Sequence, residues 1–160
     1  MLITDPAAPD FNSYASVDDL REYARTRGYA CPDDDDACTT LLMQAMDYLD
    51  PLSWNGTRTD PLQPCAWPRE NVVLEGTELD KDTVPRQVLM AQCRLALDAQ
   101  ETDLTPSFAS GGEVVQESVA GAVSVSYASG SSRAAPSFPW LLNLLRGLMA
   151  SPGYVELERW

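Results

Sequence analysis

Residues 34–50, DDDACTTLLMQAMDYLD, decide the fold of this chain. Aspartates at the start of the stretch offset the partial positive charge of a helix N-terminus, and Pro51 ends the pattern. The stretch therefore predicts an amphipathic helix over residues 37–49. Its apolar residues recur at steps of three and four, the spacing of one buried helix face, and are Ala37, Leu41, Leu42, Ala45, Met46 and Leu49.

The aspartate run at the start of this helix, Asp33–Asp36, could also suggest a calcium site. An EF-hand loop needs alternating ligands, a central glycine and a distant glutamate, and these are missing here. We therefore interpret the run as the solvated start of the helix.

Two further helices are predicted, one on each side of this stretch. The first begins at the capping-box pattern of Ser16 and Asp19 and ends at Gly28. The second opens at residues 82–85, where a capping residue precedes Pro85 in the first turn, and ends near Ala99. Its apolar face is wide enough for the centre of a small bundle.

Two segments outside these helices show no helical pattern. Residues 1–15 contain two prolines and little periodicity, so an extended N-terminal arm outside the core is expected. Residues 51–82 mix tryptophans with turn formers, which predicts an ordered loop pinned to the helices by its aromatic side chains. The loop residues with two open interpretations, subunit contact or loop anchoring, are Trp54, Arg58, Gln63, Trp67 and Arg69.

The C-terminal third alternates apolar and polar residues in two places. Residues 113–127 predict a β-hairpin, whose exposed edges would pair with an adjacent subunit; the pairing residues are Val115, Val119, Val123, Val125 and Tyr127. A linker and a short helix from Trp140 follow. The tail is interpreted as a docking element, with folding back onto its own core as the alternative; its apolar residues are Tyr154, Val155, Leu157 and Trp160.

The composition excludes several classes of protein. Twenty-four acidic against eleven basic residues give a net charge of −13, which disfavours binding to a polyanion. Without histidine, and with Lys81 as the single lysine, no nucleophile and base can be assembled, so neither an enzyme nor a cofactor is expected. No signal-peptide pattern or membrane-length apolar stretch occurs, which predicts a soluble protein without membrane contact.

The four cysteines do not have the spacing of a metal site. Cys31, Cys38, Cys65 and Cys93 are widely separated, and no histidine is present to complete a zinc site. They are expected to be buried thiols in a reducing cytoplasm, with a metal or disulfide role as the less favoured reading.

The sequence resembles a family of phage proteins. The matching residues are Asn12 to Val17, Tyr23, Leu42, Ala45, Tyr48 to Asp50, the W-x-G-x-R pattern of residues 54–58, Gln63, Trp67-Pro68-Arg69, Val84-Pro85 and Ala91. Members of this family are described as DnaT-like single-stranded-DNA-binding proteins, and they are similar to head-completion adaptors between portal and tail. The resemblance covers about residues 10–127 and is most specific in residues 54–69.

The adaptor resemblance implies a structural virion protein. Such a protein forms a homo-oligomeric ring, a dodecamer, beneath the portal, and DNA passes through its lumen during ejection. The implied partners are the portal protein and a tail-completion or nozzle protein, and the implied location is the neck of a bacteriophage virion made in the bacterial host cytoplasm. Tyr154, Val155, Leu157 and Trp160 would then contact the portal.

The alternative is a single-stranded-DNA-binding replication protein. Such proteins combine a cationic groove with stacking aromatics, whereas the arginines of this chain are diluted by carboxylates. The fold expected under both readings is mainly α (α+β), a small helical bundle with a β-hairpin. It comprises an arm over residues 1–15, a domain over residues 16–127, and a C-terminal extension over residues 128–160.

Overall fold

A computed structural model describes residues 1–106 and 137–150. The helices and strands all belong to the unit that contains residues 1–101 and 138–150. The predicted hairpin over residues 113–127, with its valines and Tyr127, lies outside the described residues, as do the linker over residues 128–136 and the tail residues Tyr154, Val155, Leu157 and Trp160.

The described residues form four helices and two small antiparallel sheets, which confirms the mainly helical α+β fold. The helices are α1 (Val17–Arg27), α2 (Asp35–Leu49), α3 (Arg86–Asp98) and α4 (Pro139–Leu144). Strand β1 (Thr57–Arg58) pairs with β2 (Arg69–Glu70), and β3 (Val73–Leu74) pairs with β4 (Thr77–Glu78).

Local capping sets the ends of the first two helices. The Ser16 hydroxyl accepts from the Asp19 amide while the Asp19 carboxylate accepts from the Ser16 amide, so the predicted capping box is present. Gly28 ends α1 with a φ of 76°, a conformation that side chains disfavour. The Asp34 carboxylate caps α2 by accepting from the Ala37 amide, as expected for the start of a helix.

Helix α3 lies at the centre and packs against α1, α2 and α4. Val88, Ala91 and Leu95 are fully buried, and so are Leu20 of α1 and Leu42 of α2. The start of α3 differs from the prediction. Its N-cap is Pro85 without a side-chain cap, because the Asp82 amide and the Thr83 hydroxyl instead donate to the Asp80 carboxylate in the preceding turn.

The N-terminal segment is packed where an arm outside the core was expected. Phe11, Tyr14 and Ala15 are buried, and the Ile3 backbone exchanges hydrogen bonds with Asn12. The cause is a long-range contact: the Oε1 atom of buried Gln92 accepts from the amides of Tyr14 and Ala15, at 3.0 and 2.8 Å. Low periodicity therefore marked a non-helical segment, not a detached one.

The loop over residues 51–82 is ordered, as predicted, but it also contains the four short strands, which the sequence pattern did not indicate. Each strand has two residues, too short for an alternating pattern to develop. Within the described ranges, no helix has the length and apolar character needed to cross a membrane.

Candidate functional site

Arg69 is the centre of a clamp inside the loop. Its guanidinium donates to three backbone carbonyls: Nε to Asn55 at 2.7 Å, Nη2 to Gly56 at 2.9 Å and Nη1 to Ala66 at 3.1 Å. Burial lowers the pKa of Arg69, and Arg58 adds to the effect. The clamp joins residues 54–58 and the segment around residues 66–69 into one structural unit, because one side chain satisfies acceptors in both.

Gln63 and Arg58 fix the same loop from its outer side. The Gln63 amide nitrogen donates to the carbonyls of Cys65, Ala66 and Pro68, at 2.9, 3.2 and 2.8 Å. Arg58 donates to the Gln63 carbonyl at 3.0 Å. Arg58 and Asp60 do not form an ion pair with each other among the described residues; the Asp60 carboxylate instead accepts from the Leu62 amide.

The two loop tryptophans are buried against each other. The rings of Trp54 and Trp67 meet edge to face, with centroids 5.5 Å apart and an interplanar angle of 81°. Both side chains are therefore occupied in packing within the chain. Together with the polar contacts of Arg58, Gln63 and Arg69, this geometry is that of a loop anchor.

Tyr14 and Asp50 connect the loop to the helical core. The Tyr14 hydroxyl donates to the Oδ1 atom of Asp50 at 3.0 Å. The Ala66 amide donates to the same Asp50 oxygen at 2.8 Å. The Trp67 amide donates to the Tyr14 hydroxyl. Burial, helped by the charge of Asp50, raises the pKa of Tyr14. This link could not be predicted from the sequence, since its members are far apart in the chain.

Asn55 attaches the segment that precedes the C-terminal tail. The Asn55 amide donates to the Leu148 carbonyl at 2.9 Å, and its side chain donates to the carbonyls of Gly147 and Met149. The Ala150 amide donates to the Ser53 carbonyl. We call this pairing of residues 53–55 with residues 147–150 the tail anchor. The tail anchor fixes the backbone as far as Ala150.

An apolar groove lies beside the tail anchor. It has a volume of about 710 Å³. Leu142, on its edge, is 63% exposed although it belongs to a helix of the core. The apolar residues that line the groove are Pro51, Leu52, Leu142, Leu145, Met149 and Ala150. The other lining residues are Ser53, Asn143, Arg146 and Gly147, so the groove is largely apolar and can accept an apolar protein side chain.

The arginines of α1 are already engaged within the chain. Arg21 pairs with Asp35 at 2.7 Å, Arg25 pairs with Glu22 at 2.6 Å, and Arg27 lies over the Tyr23 ring at 4.2 Å. Carboxylates offset the charges of Arg21 and Arg25, whereas Arg27 keeps its charge over the Tyr23 ring, so α1 offers a phosphate backbone one arginine without an acidic partner among the described residues.

One row of aromatic and cationic side chains crosses α1, α3 and α4. Arg27 covers Tyr23, which stacks on Tyr29 with centroids 6.3 Å apart and an angle of 12°. Arg94 then lies 5.8 Å from the Tyr29 ring and 4.5 Å from the Trp140 ring. We call these five residues the aromatic row. The row could not be predicted from the sequence because its members come from separate elements.

No group of three or more metal-ligating side chains occurs among residues 1–106 and 137–150. The aspartate run was interpreted as the start of a helix, and Asp34 and Asp35 occupy the N-cap and the first position of α2. Three of the cysteines are buried, but Cys31 is partly exposed, contrary to the expectation for all four.

Fold and site thus define a small helical α+β protein whose clamped loop holds the segment before the C-terminal tail. The model of a family described as "Putative DnaT-like ssDNA binding protein" matches residues 1–160, and the chain belongs to that family. Neither a curated protein nor a solved structure matches the chain. The family resemblance is therefore confirmed, whereas the comparisons give no support to a head-to-tail adaptor specifically.

Proposed function

We propose that this chain is a structural subunit of the neck of a tailed-phage virion, an adaptor that forms a ring beneath the portal. The observation that carries the proposal is the tail anchor. Its hydrogen bonds hold the backbone through Ala150, so the apolar tail leaves from a fixed edge beside an apolar groove. A docking peptide on a rigid base loses less entropy on binding than one on a loose linker.

The charge distribution fits this function. A net charge of −13 repels the phosphates of passing DNA, and a wall that does not hold the polymer lets it slide. The partners under this proposal are the portal protein, a tail-side protein and further copies of the chain. DNA would be in transit only.

Single-stranded-DNA binding is the second candidate, and the family description favours it over the adaptor. The aromatic row provides a specific observation for it, since bases stack on aromatic rings and arginines. Tyr29 is 42% exposed and could accept a base. Against it stands the carboxyl group of Asp98 near Arg94, in a protein with an excess of acidic residues.

A salt titration separates the two candidates. Binding to a fluorescent single-stranded oligonucleotide is measured by anisotropy between low and physiological salt. For an adaptor we expect weak binding that Tyr29→Ala leaves unchanged. Tight binding that weakens steeply with salt and is lost in Tyr29→Ala would establish the second candidate instead.

Electron microscopy tests docking directly. Portal rings of the same phage, incubated with the full chain, are expected to carry a second stacked ring. Replacing Tyr154, Leu157 and Trp160 with serine should abolish stacking while the circular dichroism spectrum stays unchanged. The matched control is Glu156→Gln with Glu158→Gln, which alters the polar positions of the same tail and should leave docking intact. Docking that survives the serine variant would falsify the tail assignment.

A further inference from the structure

Cys31 and Cys38 bring two thiols together at the junction of α1 and α2. Their Sγ atoms are 3.8 Å apart, although seven positions separate them in sequence. Cys38 lies in the first turns of α2 and is fully buried, whereas Cys31 lies in the connecting turn and is partly exposed. A reagent in solvent can therefore reach the Cys31 thiol, and the buried Cys38 thiol is the next group that it would meet.

The turn that carries Cys31 is held from both sides. The Gln100 side chain donates to the Ala30 carbonyl at 2.9 Å, and Arg21 donates to the Asp33 carbonyl at 2.7 Å. The Cys38 thiol faces the Pro32 carbonyl at 3.3 Å. Because these contacts fix the backbone on each side of Cys31, the two sulfur atoms stay close together.

We propose that Cys31 and Cys38 form a dithiol that closes reversibly to a disulfide when the protein passes from reducing to oxidising surroundings. A disulfide requires sulfur atoms about 2.05 Å apart, so closure must bring the two Sγ atoms together from their present 3.8 Å. This inference does not depend on the proposed function.

The chemistry balances with a small-molecule disulfide such as oxidised glutathione as the oxidant. The Cys31 thiolate attacks one glutathione sulfur, forms a mixed disulfide and releases one glutathione thiolate. Cys38 then attacks the Cys31 sulfur and releases the second glutathione. The protein loses two protons and two electrons, and one oxidised glutathione becomes two reduced molecules.

Closure should be slow at neutral pH and faster in mild alkali. Burial, with a smaller contribution from Cys38, raises the pKa of Cys31 to about 11. Only the thiolate attacks, so its fraction rises about tenfold for each pH unit below that pKa. The pair therefore resists brief oxidation but responds to a lasting change of surroundings.

The test uses the full chain in glutathione redox buffers, followed by denaturing alkylation and mass spectrometry. Wild type is expected to lose two alkylatable thiols without gaining glutathione, and peptide mapping should join Cys31 to Cys38. Cys38→Ser should instead hold glutathione at Cys31, while the matched control Cys93→Ala should still form the bridge.

Two results would overturn the proposal. One is wild-type protein that carries glutathione on Cys31 while Cys38 remains alkylatable. The other is a bridge that maps to Cys65 or Cys93. Mapping of the wild type decides between these outcomes even if a variant does not fold. A rate of closure that does not change between pH 7 and pH 9 would contradict the role of the Cys31 thiolate.

Discussion

Gly56 shows how one residue fixes the clamped loop. Its φ is 73°, and a Cβ added there would lie 2.3 Å from the Glu70 carbonyl oxygen and 2.6 Å from Val72. The close approach lets β1 and β2 pair across the loop and places the Gly56 carbonyl on Arg69. The glycine of the W-x-G-x-R pattern is therefore required by backbone geometry and by space.

Gly76 provides a matched control for this position. Its φ is 83°, but a Cβ added there would meet nothing within 4 Å. We expect Gly76→Ala to cost only the strain of a positive φ, about 1 kcal/mol, and Gly56→Ala to cost clearly more, about 3 kcal/mol. Urea unfolding of both variants measures the difference. Equal losses would show that the contact with Glu70 and Val72 carries no energetic weight.

The anchoring of the loop by its tryptophans could be predicted from the sequence. Tryptophans among turn formers indicated that the loop is pinned, because such large side chains are rarely left in water. The partners of Arg69 could not be predicted, since backbone carbonyls leave no trace in side-chain identity. The same holds for the tail anchor, whose acceptors at residues 147–149 are main-chain atoms more than ninety positions from Asn55 in the sequence.

The ends of helices could be predicted where a capping residue lies next to the helix end. Ser16, Asp34 and Gly28 each act within a few residues of the helix end that they define. The N-terminal segment was mispredicted because its partner is in α3, almost eighty residues away. The aromatic row was missed for the same reason. Contacts between elements, unlike caps, are decided by the assembled fold.

Gln92 is the clearest case of such a contact. Besides the amides of Tyr14 and Ala15, it contacts the Ser13 hydroxyl at 2.8 Å and the Leu42 carbonyl at 3.1 Å, and it is fully buried. One side chain therefore joins the N-terminal segment, α2 and α3. Removing it leaves two buried amides without an acceptor, which costs more than the loss of the bonds alone.

We expect Gln92→Met to lower the free energy of unfolding by about 2–4 kcal/mol, although methionine fills a similar volume. Hydrogen exchange at residues 11–15 should become faster. Gln44→Met, on the exposed side of α2, is the control and should change stability by less than about 0.5 kcal/mol. A Gln92 variant as stable as the control would mean that the polar contacts are not what holds the N-terminal segment.

At the scale of the whole molecule, the charge is the dominant feature. The chain carries 24 acidic and 11 basic residues, and its described residues contain two ion pairs, Arg21 with Asp35 and Arg25 with Glu22. Both pairs are exposed and therefore weak. The compact state brings the excess carboxylates closer together than the unfolded chain does, so folding works against their mutual repulsion.

Salt should therefore stabilise this protein. Mobile ions screen repulsion between surface charges with a Debye length of about 30 Å at 0.01 M and about 8 Å at physiological ionic strength. We expect the free energy of unfolding, measured by urea denaturation, to rise by about 1 kcal/mol between these conditions. Asp47→Asn, at an exposed position in the last turn of α2, should raise stability at low salt and reduce the salt dependence, because it removes an acid from the negative end of a helix.

The control for this prediction is the double variant Glu22→Gln with Arg25→Gln, which removes one ion pair and leaves the net charge unchanged. Its salt dependence should match that of the wild type. If the free energy of unfolding of the wild type fell with added salt, attractive ion pairs would outweigh the repulsion between carboxylates. The surface would then repel a polyanion less strongly than the net charge indicates. Since a repulsive surface is what separates a passage for DNA from a binding site for it, the sign of this salt effect also bears on the choice between the two proposed functions.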